Sequence, residues 1–270
     1  MNVAARSDKL DLTAIALFLD VDGTLLEIAA TPYAVSVSGD LRERLQGLCS
    51  AGGGAIALVS GRAIADLDAL FAPLTLPSAG LHGFERRGAG GGYHRRPLPS
   101  RAALDAARGA MLELADRHEG LLVEDKRFAL ALHYRETPHL EGAVVKAMED
   151  VTAGLAGELE LQHGKMVVEL RPAGATKAEA VAAFLAEAPF AGRLPVFMGD
   201  DLTDEPAFEL INRLDGLSVI VGPRRPSAAR ASLADVAAVH QWLAQLQAEP
   251  AAALRRLSAP QGPDRLRSQC

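Results

Sequence analysis

The chain has 270 residues, 49 % of them apolar, a formal net charge of −6 and a pI of about 5.7. That length suits one large α/β domain or a core carrying a smaller one, and an acidic balance without an arginine stripe argues against a nucleic-acid partner. No apolar run reaches the roughly 20 residues that span a bilayer, and the two cysteines, Cys49 and Cys270, build no disulfide framework, so a soluble, monomeric protein of the reducing cytoplasm with no membrane partner is expected.

In chain order, Met1–Thr13 is polar and lacks the apolar core of a signal peptide. Four short apolar runs, Ala14–Leu19, Ala55–Val59, Leu194–Met198 and Leu217–Val221, read as buried parallel strands. Between them the period is helical. Leu41, Leu45 and Leu48 share one helix face, with Cys49 in the same pattern, and Ala178, Val181 and Leu185 share another. Val239–Leu246 reads as a final helix, and from Arg255 the chain is polar, basic and Pro-containing, as in a frayed tail. Strand–helix alternation predicts an α/β sheet wound with helices on both faces.

The alternation breaks in the middle. Gly88 and Gly90–Gly92, followed by Pro97 and Pro99, form one break, and Pro172 with Gly174 forms another. Between them the pattern predicts a helix over Arg101–His118, strands over Leu121–Glu124 and Phe128–Tyr134, a helix over His139–Leu155, and strands over Glu158–Gln162 and Met166–Arg171 joined by a turn at His163-Gly164. The expected division is an inserted α+β domain, residues 98–172, held on two hinges in a discontinuous core of residues 1–97 and 173–254, with 255–270 a flexible tail. The alternative is that the middle segment continues the main sheet.

The first strand ends in Asp20-Val21-Asp22-Gly23-Thr24. Acids two apart in extended backbone point the same way, roughly 6–7 Å apart. Gly23 lets the chain leave the strand in a conformation that other residues avoid, and the carboxyl end of a buried strand is where ligands bind in open α/β sheets. Turn capping would also explain the pair. The second strand ends in Ser60-Gly61-Arg62 before a helical segment. A hydroxyl and backbone N–H groups there can hold phosphate oxygens, or Ser60 can be a helix N-cap. The third run is followed by Asp200, Asp201 and Asp204, a hard oxygen-rich cluster suited to Mg²⁺, with capping by Thr203 and the dipole preference of Asp204 and Glu205 as the other reading. Lys177 precedes an amphipathic segment, where a lysine is usually solvated.

An acidic pair, then serine, lysine and an acidic cluster is the motif order of the haloacid dehalogenase-like (HAD) phosphatase superfamily, which this chain resembles. The closer resemblance is to trehalose-6-phosphate phosphatases. It is carried by Leu81-His82-Gly83-Phe84-Glu85, Glu124-Asp125-Lys126 with Leu130–Arg135, Gly164-Lys165 with Glu169-Leu170-Arg171-Pro172, and Gly199–Glu205, and it spans about Leu17 to Leu246. The sequence departs from the pattern at Ala178, where the family usually has Gly, and at Arg127-Phe128, where a small residue is commoner.

The resemblance implies a Rossmann-like HAD core with a parallel sheet and an inserted α+β cap of the C2B type. It also implies hydrolysis of trehalose 6-phosphate by attack of Asp20, with an aspartyl-phosphate intermediate and Asp22 as acid and base. Mg²⁺ would be held by Asp20, Asp200 and the Asp22 carbonyl, with Asp201 or Asp204 completing the shell. Thr24, Ser60 and Lys177 would hold the transferring oxygens, Glu124, Lys126, Lys165 and Glu169 would contact the sugar, and Arg62 and His82 would border the cleft. Period-two alternation puts Lys165, Val167, Glu169 and Arg171 on one sheet face, opposite Met166, Val168 and Leu170, and puts His133 with Arg135 opposite Leu132 and Tyr134. Another sugar phosphatase of similar fold, a sugar phosphomutase and a catalytically silent sugar-phosphate-binding module are the competing readings.

Overall fold

The computed structural model describes residues 11–29, 35–126, 129–155, 157–223 and 226–258. In chain order its elements are β1 (Ile15–Leu19), α1 (Gly39–Ala51), β2 (Ile56–Val59), α2 (Ile64–Phe71), β3 (Ser78–Gly80), β4 (Glu85–Arg87), β5 (Tyr93–Arg95), α3 (Arg101–Arg117), β6 (Leu122–Asp125) and β7 (Leu130–His133). These are followed by α4 (Glu141–Ala153), β8 (Leu159–Gly164), β9 (Val167–Pro172), α5 (Lys177–Leu185), β10 (Leu194–Gly199), α6 (Glu205–Arg213), β11 (Leu217–Val221), β12 (Ala231–Leu233), α7 (Val236–Ala248) and α8 (Pro250–Ser258).

Eight strands form one sheet in the order β12-β11-β10-β1-β2-β3-β4-β5, parallel from β12 to β3 and antiparallel at the β3-β4-β5 edge. Alternation along β1 explains the layering. Ile15, Leu17 and Leu19 pack with Leu41, Leu45 and Leu48 of α1, Leu67 and Phe71 of α2, and Trp242 and Leu246 of α7. Ala16 and Phe18 point to the other face, with Val181 and Phe184 of α5 and Phe208 and Ile211 of α6. Both faces are covered, so the central strands are apolar throughout rather than alternating. Ser38, Ser100, Thr176 and Asp235 cap α1, α3, α5 and α7 with side-chain oxygens.

A second sheet, antiparallel and ordered β6-β7-β9-β8, is separate from the first. One face carries its own core: Leu130, Leu132, Val168 and Leu170 against Ala107 and Met111 of α3 and Val144 and Met148 of α4. The middle segment therefore does not extend the main sheet.

Several expectations are corrected. The Gly88–Gly92 stretch is a tight β4–β5 turn closed by Gly88 N–H to Gly92 C=O (2.9 Å), inside the main sheet rather than a hinge. The β8–β9 turn is at Lys165-Met166, because β8 runs on to Gly164 and Met166 takes the left-handed conformation (φ 60°). Lys165 and Met166 thus leave the strand alternation, and Met166 is exposed rather than packed on a helix. Helix α5 buries Lys177, Ala180, Val181 and Phe184, with Ala178 and Leu185 only half-buried. The chain stays ordered past Arg255, since α8 runs to Ser258 and buries Ala253, Leu254 and Leu257. The three-residue strands β3, β4, β5 and β12 are too short to signal themselves by period. Phe128 of the expected strand, the Arg127-Phe128 departure, Cys270, most of Met1–Thr13 and the rest of the expected tail lie outside the described residues.

Candidate active site

Asp20 follows β1, Ser60 follows β2 and Asp200 follows β10, so the carboxyl ends of three adjacent parallel strands converge. The backbone fixes this directly: Asp20 N–H donates to Met198 C=O and Ser60 N–H to Ala79 C=O, both at 2.9 Å. Asp20 and Lys177 are buried, with Lys177 Nζ 2.9 Å from Asp20 Oδ1 and 2.7 Å from Asp204 Oδ1. Burial by itself would lower the lysine pKa, but the two carboxylates outweigh it and hold Lys177 above its ordinary range. Asp20 is pushed well above the carboxylate range by desolvation, with Asp204 and Asp200 adding to the shift against Lys177. Desolvation and the neighbouring Asp204 push Asp200 up to about 7.

The donor set fits a hard cation. Carboxylate oxygens of Asp20, Asp200 and Asp204 lie within 4.8 Å of one another, and Asp200 Oδ1 is buried without a hydrogen-bond partner. Gly23, at φ 84°, permits the approach, since a Cβ there would stand 2.1 Å from Asp200 Oδ2. Asp204 is already engaged: its Oδ1 binds Lys177 and its Oδ2 accepts the N–H groups of Asp200 (3.0 Å) and Asp201 (2.9 Å). Asp201, not Thr203, caps the 3₁₀ turn Leu202–Asp204.

Asp22 is half-exposed and gripped by Arg62, whose Nε and Nη2 donate to its two oxygens at 2.7 and 2.6 Å. Ser60 is not a helix cap: its Oγ accepts Arg62 N–H (3.1 Å), and α2 is preceded by Ala63, which makes no side-chain cap. Ile64 N–H is taken by Glu85 Oε1 (2.5 Å), so two N–H groups expected to face phosphate are already bonded.

The second sheet's polar face closes the cavity. Lys126 Nζ donates to Glu169 Oε2 (2.9 Å) and reaches Gly61 C=O (3.5 Å), and His82 Nε2 stands 3.4 Å from the same Glu169 oxygen. Burial would raise the Glu169 pKa, but Lys126 and His82 hold it well below its ordinary value, while burial lowers that of His82. Glu169 Oε1 and His82 Nδ1 are buried and without a partner. His133 Nε2 lies 2.9 Å from Glu124 Oε2, and Arg135 donates to Ala29 C=O. Leu81, His82 and Gly83 hold three consecutive left-handed conformations (φ 49°, 56° and 102°), which turn His82 into the cavity.

Asp20, Asp22, Ser60, Arg62, His82, Glu124, Lys126, Lys165, Glu169, Lys177, Asp200 and Asp201 therefore line one cavity. Thr24 and Asp204 do not: both are fully buried behind its wall, and Thr24 Oγ1 has no partner. Ile28, Ala29, Val35 and Val167 add an apolar side that the sequence did not flag, since single apolar residues beside a motif carry no period. His133 and Arg135 were legible as a shared face, but nothing in the sequence aimed them at the same cavity.

No helix among the described residues is long and apolar enough to cross a membrane. In solved structures the fold is similar to the C-terminal domain of trehalose-6-phosphate phosphatase from C. albicans (TM-score 0.81, 23 % identity, 91 % of this chain and 95 % of that one). It is also similar to a phosphatase of the HAD superfamily from Bacteroides thetaiotaomicron (TM-score 0.57, 18 % identity, 88 % and 95 %). Among curated sequences, the chain is 45 % identical to trehalose-6-phosphate phosphatase of Escherichia coli over 230 residues, 84 % of this chain and 85 % of that protein. It is 45 % identical to a probable trehalose-phosphate phosphatase of Sinorhizobium fredii over 217 residues, 80 % and 81 %. The sequence model described as trehalose-phosphatase matches residues 18–237. With its strand-end carboxylates, buried lysine and HAD fold, the chain belongs to the trehalose-phosphatase family.

Proposed function

We propose that this protein hydrolyses trehalose 6-phosphate to trehalose and phosphate in trehalose biosynthesis, through a phosphorylated Asp20. The observation that carries the reading is one cavity with two chemistries: buried Asp20 beside Lys177 and Asp200 at its floor, and the polar face of Glu124, Lys126, His133 and Glu169 opposite. Its family relatives named as trehalose-6-phosphate phosphatases support the substrate.

Asp20 attacks phosphorus and displaces the sugar oxygen. Asp22 gives that oxygen a proton, then takes one from the water that cleaves the acyl phosphate and frees Asp20. The fork of Arg62 fixes the Asp22 carboxylate, and its two N–H donors leave further lone pairs on both oxygens for these transfers. Lys177 and the Ser60 hydroxyl offer donors to the transferring phosphoryl group. Mg²⁺, which Asp20, Asp200 and the Asp22 carbonyl would hold, supplies the positive charge that lets a carboxylate approach a phosphate dianion. Asp204 positions Lys177 and the 200–201 turn and stands with Asp20 and Asp200 in the carboxylate group that would complete that shell, Asp201 borders it, and Thr24 packs the turn after β1.

Residues 98–172 act as a cap of the C2B type on the core of 1–97 and 173–254. Glu169 and His82 line the cavity, each with a buried atom that lacks a partner, and offer hydrogen bonds to sugar hydroxyls together with Lys126, Glu124 and Lys165. A cytoplasmic monomer is the proposed form. Phosphate release from a panel of sugar phosphates tests the substrate: trehalose 6-phosphate should exceed sucrose 6-phosphate and glucose 6-phosphate by at least tenfold in kcat/KM, a difference of about 1.4 kcal/mol. Equal turnover across the panel would reject the assignment.

A further inference from the structure

Glu85 is a buried carboxylate for which the reaction above has no role. It begins β4, yet both its oxygens are used across the strand boundary. Oε1 accepts the N–H of Ile64, the first residue of α2, at 2.5 Å, and Oε2 accepts the hydroxyl of half-exposed Tyr93 on β5. Helix α2 has no cap of its own, because Ala63 precedes it. Glu85 therefore caps a helix distant in sequence, and it reaches the turn that carries Ser60 and Arg62.

The same turn is held from below by the neighbouring backbone. Leu81 N–H donates to Arg62 C=O and His82 N–H to Ser60 C=O, both at 3.0 Å. Gly80 makes the approach possible: a Cβ there would lie 2.8 Å from Arg62 O, Glu85 Oε1 and Ile64 N at once. Arg62 is thus fixed at its carbonyl, and its successor but one at its N–H, before its side chain reaches out to Asp22 at 2.6–2.7 Å. A change in the direction of the backbone at the root of the side chain misaligns a two-bond fork, because both bonds need alignment together.

We propose that Glu85 is a positioning residue for phosphoryl transfer, setting the Ser60–Arg62 turn so that Arg62 holds Asp22 in its working orientation. This rests on the reading that Asp22 moves protons for Asp20, which wild-type turnover with Mg²⁺ tests separately.

The test measures kcat, KM and melting temperature for Glu85→Ala, Glu85→Asp and Glu85→Gln, each alone and combined with Arg62→Lys. Trehalose 6-phosphate and p-nitrophenyl phosphate are the substrates. Leaving the Ile64 N–H unpaired, or out of reach of a shorter acid, should lower kcat on both esters about tenfold with KM changed little. Glutamine keeps an acceptor oxygen at the same reach, so Glu85→Gln should recover kcat to within about threefold of wild type. On Arg62→Lys, Glu85→Ala should cost less than about a further twofold, since residues acting through one contact do not add. Wild-type kcat in folded Glu85→Ala or Glu85→Asp, whatever the melting temperature, would overturn the proposal, as would a full multiplying loss in the double variant. If Glu85→Ala does not fold, Glu85→Asp carries both comparisons.

Discussion

Asp22 and Arg62, forty positions apart, meet through two parallel hydrogen bonds of 2.6 and 2.7 Å at the mouth of a cavity whose floor is Asp20. Lysine could keep the charge but not the fork. Arg62→Lys should therefore lower kcat/KM about tenfold on trehalose 6-phosphate and p-nitrophenyl phosphate alike, the cost of one charged hydrogen bond. Steady-state phosphate release on both esters checks this. Unchanged rates would mean that the pair is an ordinary surface contact.

Asp20→Asn should abolish turnover while leaving the fold intact. The amide is nearly isosteric but a poor nucleophile, and it removes a buried carboxylate that desolvation already disfavours. Circular dichroism and phosphate release on one preparation separate chemistry from folding. A homogeneous, folded variant with wild-type rates would remove Asp20 from its role.

Chelator-treated protein should lose activity and regain it with Mg²⁺. The pH dependence has a definite sign. Asp200 sits up to about 7 against 3.8 for a free side chain, so the metal-free folded state keeps a proton that the unfolded state has lost. Its contribution makes the metal-free protein less stable as pH rises from about 3.8 to about 7. Mg²⁺ needs the ionised acid, so binding releases protons and tightens over the same rise. Thermal melts with and without Mg²⁺ at pH 5.5 and 8.0 should show the larger metal-induced gain at pH 8.0. A gain independent of pH would show that Asp200 carries no proton in the metal-free protein at pH 5.5.

Glu169→Gln should lower kcat/KM for trehalose 6-phosphate about ten- to a hundredfold and change p-nitrophenyl phosphate hydrolysis little, because only the first substrate brings a sugar to the second sheet. Glu169 also pairs with Lys126 and His82, and its folded pKa is depressed from 4.5. The stability it contributes is complete above about 4.5 and is lost as pH falls through the folded value. Acid unfolding of the Gln variant should consequently be less steep than that of wild type. Equal losses on both esters would move Glu169 from sugar selection to the core chemistry.

The central strands and the strand-end acids were legible because buried parallel strands are unbroken apolar runs and their carboxyl ends are where ligands sit. Edge strands such as Tyr93–Arg95 were not, since three exposed residues have no burial pattern. Glycines misled in one place and informed in another: Gly88–Gly92 suggested a hinge but closes a hairpin, whereas Gly23 marks the approach of Asp200. Lys177 looked like a solvated lysine in isolation, and only tertiary structure surrounds it with Asp20 and Asp204. Asp204 illustrates the limit of residue type as a guide. Its place among the acids at a cation site was legible, whereas its hold on a lysine and two amides was not.

The left-handed run Leu81-His82-Gly83 restricts which new substrates this scaffold can be made to accept. Position 82 faces the cavity with φ at 56°, a backbone state that asparagine, aspartate, histidine and glycine tolerate and that valine, isoleucine and threonine strain against. A library randomised at 82 should recover mainly those four residues among its folded members. Redesigning the pocket toward bulkier or more apolar sugars would then have to proceed through Val167, Ile28 or Glu124, where no left-handed backbone restricts the side chain.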